Sequence, residues 1–166
     1  MKIKRSEVLL LISIIIFMFI GCKKAPAQDP VKNDLMNYIS SVSEVFVLEE
    51  NVLKEYRKVV GENYKEEDTH IIIKKIVIPK YTEFVQTLDN IKPKTDEVKQ
   101  LHEIYKKAAY IRLEAFRQME EGFEKKEGTL VKETDKKLDE AQNSINKYRD
   151  QLTELAEKHK IKIKIK

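Results

Sequence analysis

The side chains able to do chemistry are few. The chain has one cysteine, Cys22, and three histidines, His70, His102 and His159. A cysteine sulfur is a nucleophile once ionised, so Cys22 is a candidate for alkylation or redox exchange, or for an inert place in a core. Glu67 and His70 have the Glu-x-x-His spacing that sets a carboxylate and an imidazole on one helix face, as di-iron bundles use. That chemistry needs a second copy of the motif and two further inward Glu residues, and the sequence has no second copy. A solvated pair near a helix start is therefore expected at His70. His102, beside Val98 and Tyr105, is expected to flank the core with its polar atoms satisfied. His159 suits a helix C-terminus, where the dipole favours a cation.

Other signatures are missing from the sequence: a glycine-rich phosphate loop, a Gly-x-Ser-x-Gly elbow, a spaced Cys/His set. The abundant carboxylates read as solvated helix faces with i,i+4 Glu–Lys pairs. The expectation is no catalytic residue, no metal and no cofactor, and so not an enzyme. Glu49 and Arg112 are the two charges that interrupt apolar seams. Exposure at a helix edge is the ordinary outcome for each. The alternative is that they meet inside as a polar pair that fixes register, which a double-mutant cycle tests.

The elements that position these residues are helices. Charged residues make up 36% of the 166, while only four Gly and four Pro interrupt them; few breakers with many Lys and Glu favour long helices. Asp29-Pro30 is a helix start, an acidic N-cap followed by Pro at the first position. Leu35, Ile39, Val42, Phe46, Leu53, Tyr56 and Val60 then mark one face, and Gly61 is the expected terminator.

A second helix is expected from Asp68-Thr69, stepping through Ile73, Val77, Tyr81, Phe84, Leu88 and Ile91 across Pro79. Ile71–Ile78 is rich in β-branched residues, so an extended segment with a helix beginning at Pro79 stays open. Thr95 is the expected cap of a third helix that carries Val98, Leu101, Tyr105, Ala108, Phe116, Met119 and Phe123, with Gly122 tolerated at about 1 kcal/mol. Glu127-Gly128-Thr129 reads as a turn with a C-cap Gly and an N-cap Thr. The fourth helix has a clean coiled-coil-like step from Val131 through Leu138, Ile145 and Leu152 to His159. Four helices joined by short breaks predict an all-α, antiparallel up-down four-helix bundle over residues 30–160, with the second helix bent at Pro79.

Ahead of this lies a leader. Lys2, Lys4 and Arg5 precede an apolar run from Val8 to Ile20, the order of a secretory signal peptide. The run is 13 residues, short of the ~20 that cross a bilayer core. Lys23 and Lys24 block its extension, which leaves an uncleaved short anchor as the weaker alternative. Phe19-Ile20-Gly21-Cys22 resembles a bacterial lipoprotein lipobox, with a small residue before a cysteine that follows a short apolar run. Phe19 and Ile20 depart from its commoner residues. The resemblance implies cleavage between Gly21 and Cys22 and attachment of a diacylglycerol to the Cys22 sulfur.

Two chains anchor stably where one binds marginally. The implied location is the extracytoplasmic face of the cell membrane, lipid-anchored. Residues 161–166 form a Lys/Ile tail, read as an extended solvated end; lipid, wall-polymer or edge-strand contact are the alternatives. Residues 22–29 make a short tether, and the seven from Lys23 to Asp29 reach at most ~25 Å.

The stretch from "IPKYTEFVQTLDNIKPKTDEV" through "LHEIYKKAAYIRLEAFRQMEEGFEKKEG" resembles a group of small all-helical lipoproteins of Gram-positive bacteria. With the last helix the likeness covers most of residues 78–160, on overall pattern rather than a sharp motif. It implies fold and location only.

The formal net charge is +4, and losing residues 1–21 leaves +2. Lys and Glu alternate, so a nucleic-acid footprint, which needs a basic stripe, is not expected. The expected partners are the membrane, through the diacylglyceryl anchor, and a protein whose identity is unknown. The expected function is a structural or protein-interaction module; the alternative is a small-ligand or metal-binding bundle at the cell surface.

Overall fold

The computed structural model describes residues 29–163. The leader, Gly21, Cys22 and the tether up to Gln28, with residues 164–166 of the tail, lie outside the described residues. Those described are helical, with no strand among them: α1 (Pro30–Arg57), a 3-10 turn (Gly61–Asn63), α2 (Glu66–Ile72), a π-helical turn (Ile73–Val77), α3 (Ile78–Asp89), α4 (Asp96–Lys125) and α5 (Gly128–Lys158). The segment from α2 to α3 runs without a break, so four helices make the fold. Among the described residues no helix is long and apolar enough to cross a membrane.

Each helix forms because its apolar positions fall on one face, and the core records which ones. Leu35, Tyr81, Phe84, Leu88, Tyr105 and Phe116 are entirely buried. The extended alternative for Ile71–Ile78 is resolved in favour of helix. Two of its β-branched residues, Ile73 and Val77, are completely buried in the core, and a helix can bury this pair because they are one turn apart. The chain widens there to a π-turn, in which the Ile78 N–H donates to Ile73 O. Pro79 follows directly. A proline ring clashes with the carbonyl four residues back, and a wide turn relieves that contact.

Helix ends are where local expectation and structure part. Asp29 caps α1 as expected, its Oδ1 accepting from Lys32 N at 3.0 Å. Gly61 does not terminate that helix directly. The α-helical pattern stops at Arg57, and Gly61 takes a left-handed φ of 67° at the start of the 3-10 turn. Asp68-Thr69 is not the start of the second helix, which begins at Glu66. Thr69 instead donates its hydroxyl to Val59 O at 2.6 Å, satisfying a carbonyl just past the end of α1. Thr95 occupies the N-cap position of α4 but makes no capping bond with its own side chain.

At the α4–α5 turn the left-handed residue is Lys126, φ 56°, and not Gly128, which is the first residue of α5. Glu127 N donates to Gly122 O at 2.9 Å, closing the wrap that ends α4. The close turn also explains Gly122. A Cβ there would stand 2.8 Å from Val131 Cγ2 and 3.1 Å from Val131 N, so the start of α5 lies directly on the glycine. Lys126 carries a side chain in a conformation that favours glycine. Lys126→Gly is therefore expected to raise stability by about 0.5–1 kcal/mol, seen as a higher urea midpoint at unchanged slope.

Long-range contacts fix which ends meet. The first described residue, Asp29, bonds His159 beyond the end of α5, Oδ2 to Nδ1 at 2.6 Å. Asp34 on α1 holds Thr95 at the start of α4. At the opposite end of α1, Thr69 meets Val59, and His70 packs tilted against Phe123 with centroids 5.5 Å apart.

Candidate functional site

Glu49 and Arg112 meet inside the fold. The carboxylate is 3% exposed and the guanidinium residue 6%. Arg112 Nη1 donates to Glu49 Oε1 at 2.5 Å. Two tyrosines complete the set: Tyr81 OH donates to Glu49 Oε1 and Tyr105 OH to Oε2, each at 2.7 Å. Arg112 Nη2 reaches Gln142 Oε1 at 3.2 Å. One polar group from α1, one from α3, two from α4 and one from α5 thus converge on one point. Of the two outcomes open from sequence, edge exposure is excluded for both charges.

The surroundings set the charge states. Burial raises the Tyr81 hydroxyl well above the usual tyrosine range, and Glu49 beside it pushes the same way, so the phenol keeps its proton and donates it. Burial likewise raises Tyr105, again with Glu49 adding to it. Burial opposes charge on Arg112, but Tyr81 and Glu49 outweigh it and hold the guanidinium protonated. Aromatic rings wall the cluster. Tyr105 stacks between Phe46 and Tyr148 at 5.7 and 4.7 Å, and Tyr81 packs edge-on against Phe116 at 5.3 Å.

What this arrangement can do follows from donor counting. Three protein donors occupy three of the roughly four acceptor positions of the Glu49 carboxylate, which ties α1 to α3 and α4. A groove of about 280 Å³ between α1 and α5, lined by Leu53, Tyr56, Leu138 and Gln142, opens onto Arg112. The chemistry on offer is charge complementarity and hydrogen bonding inside a low-dielectric core, which specifies how helices seat.

The histidines separate. His102 is 3% exposed rather than at a boundary, set edge-on to Tyr38 at 5.6 Å. Neither of its ring nitrogens has a hydrogen-bond partner among the described residues, contrary to the satisfied histidine expected. Burial lowers its pKa and keeps the ring neutral. His159 follows the last helix as expected, and its bond to Asp29 is the main cause lowering that aspartate's pKa. His70 does not pair with Glu67, which is exposed; it lies by Glu120 and Glu124 of α4. Cys22 and Gly21 lie outside the described residues.

Sequence reasoning missed Tyr81, Tyr105 and Gln142 as polar partners. Tyr105 stands on the seam that Arg112 interrupts, but Tyr81 stands on one that no charge interrupts, so its hydroxyl is marked only by the fold. No family model matches the chain, and neither a curated protein nor a solved structure does.

Proposed function

We propose that this protein is a lipid-anchored lipoprotein of the extracytoplasmic membrane face, whose helical domain is a structural or protein-interaction module and not an enzyme. In this reading its four helices run up-down-up-down as an antiparallel bundle, bent at Pro79. The observation that carries the proposal is Cys22, which follows Gly21 and the short apolar run of the leader. The Asp29–His159 bond brings the first described residue to the same end as the start of the Lys/Ile tail.

An anchor at that end leaves the opposite end, with the 3-10 turn and the α4–α5 turn, pointing away from the bilayer. Helices of 28 to 31 residues reach ~42–47 Å at 1.5 Å per residue. Several large apolar side chains are exposed on such a rod: Met36, Val47 and Leu48 on α1, and Tyr64 and Ile71 toward the far end. These suit contact with a protein partner. The engaged Glu49 cluster supports an architectural role over an acid–base one.

The test is acylation. Cells expressing the full chain and fed labelled palmitate are expected to show a labelled band in the membrane fraction, and Cys22→Ser is expected to abolish the label. Equal labelling of the wild type and Cys22→Ser would remove the anchor, and the proposal with it.

A further inference from the structure

His70 of α2 faces Glu120 and Glu124 of α4. Each offers one ligand atom, and the three atoms lie within 4.8 Å of one another. Glu120 and Glu124 are four residues apart, so they stand on adjacent turns of one face. The imidazole packs against Phe123, the rings tilted and 5.5 Å apart, and its Nε2 is buried with no hydrogen-bond partner among the described residues. A cation already occupies the carboxylate side. Lys74 Nζ lies 3.2 Å from Glu120 Oε1 and also pairs with Glu124 Oε1. The Lys74 side chain is about half exposed, so it can swing into solvent.

We propose that His70, Glu120 and Glu124 form a divalent transition-metal site of the zinc class, which Lys74 fills in the metal-free protein. One imidazole and two carboxylates are the borderline donors that zinc or cobalt takes; calcium prefers six to eight oxygens. Metal–ligand bonds of 2.0–2.2 Å require donors ~3.4 Å apart in a tetrahedron, so small side-chain rotations close the set. Three protein ligands leave a coordination position for water or for a group from a partner. The ion would tie α2 to α4 at the end of the domain away from Asp29. The site stands independently of the anchor, and it runs against the expectation from sequence that His70 is a solvated cap.

The experiment is calorimetric titration of the full chain with zinc chloride, in a Cys22→Ser background so that no thiol competes, alongside cobalt absorption spectra. Saturable binding with one equivalent is expected. His70→Phe, which keeps the ring packing, and Glu124→Gln should each weaken it at least about tenfold. Lys74→Met should tighten it, because the competing ammonium is gone; a purely structural salt bridge predicts no such gain. No heat up to millimolar zinc overturns the proposal. So does binding unchanged in His70→Phe and Glu124→Gln, or binding lost instead in His159→Ala, which would move the ion to the Asp29 pair.

Discussion

Arg112→Met is expected to destabilise the domain by about 3–5 kcal/mol, because it leaves the Glu49 carboxylate charged and uncompensated in the core. For a domain of this size that is a fall in melting temperature of roughly 10–15 °C, measured by circular dichroism. Glu49→Met should cost a similar amount, with Arg112 then the unpaired charge. The double variant should be far better than the sum of the singles, since no buried charge remains. It should still fall short of wild type. Tyr81 and Tyr105 both donate to Glu49, and each orphaned buried hydroxyl costs about 1–3 kcal/mol. Adding Tyr81→Phe and Tyr105→Phe removes those orphans and should recover most of the loss. A coupling energy between positions 49 and 112 within ~0.5 kcal/mol of zero would show that the two charges act independently.

That cluster also marks how far the sequence could be read. The apolar steps located the helices because a 3.6-residue period is a local property, and Pro79 did not break the run because Tyr81, Phe84 and Leu88 beyond it stay on the buried face with Ile73 and Val77 before it. Glu49 and Arg112 stood out as charges where the pattern wanted apolar side chains. Their partners did not, because a tyrosine in a seam counts as apolar by its ring, and only the fold reveals that its hydroxyl is spent on a carboxylate 32 or 56 residues away. Caps divided in the same way. Asp29 bonds a backbone N–H three residues on and was legible. Asp68-Thr69 and Gly128 did not act as the local signals they resemble: Thr69 answers to Val59, and the left-handed turn falls on Lys126, two residues before the glycine that usually marks one. Thr95 does stand at the N-cap of α4, but its hydroxyl bonds Asp34 and not its own helix. His70 illustrates the same limit: its in-sequence neighbour Glu67 looks like a ligand, while Glu120 and Glu124 meet it only through packing.

Asp34 is the residue with no sequence signal and a large expected effect. It is 7% exposed, and its Oδ2 accepts from Lys94 N at 2.8 Å, Thr95 N at 2.7 Å and Thr95 Oγ1 at 2.8 Å. One carboxylate on α1 therefore organises the connection into α4, doing across 60 residues what a local cap does across three. Asp34→Ala strands two backbone N–H groups and a hydroxyl, each bonded to a charge, so a loss of about 2–4 kcal/mol is expected in urea unfolding. The pH dependence gives an independent check. Burial works against the charge on Asp34, but the bonds from Thr95 and Lys94 outweigh it and lower its pKa below the ordinary 3.8. A carboxylate depressed in the folded state stabilises above its unfolded pKa, and that stability is lost as pH falls through the folded value. Wild type should thus lose stability below about pH 4 more steeply than Asp34→Asn, which has no proton to take up. Parallel stability curves for the two proteins between pH 5 and pH 2 would mean that the Thr95 cradle does not favour the ionised carboxylate, and the link between α1 and α4 would have to come from packing alone.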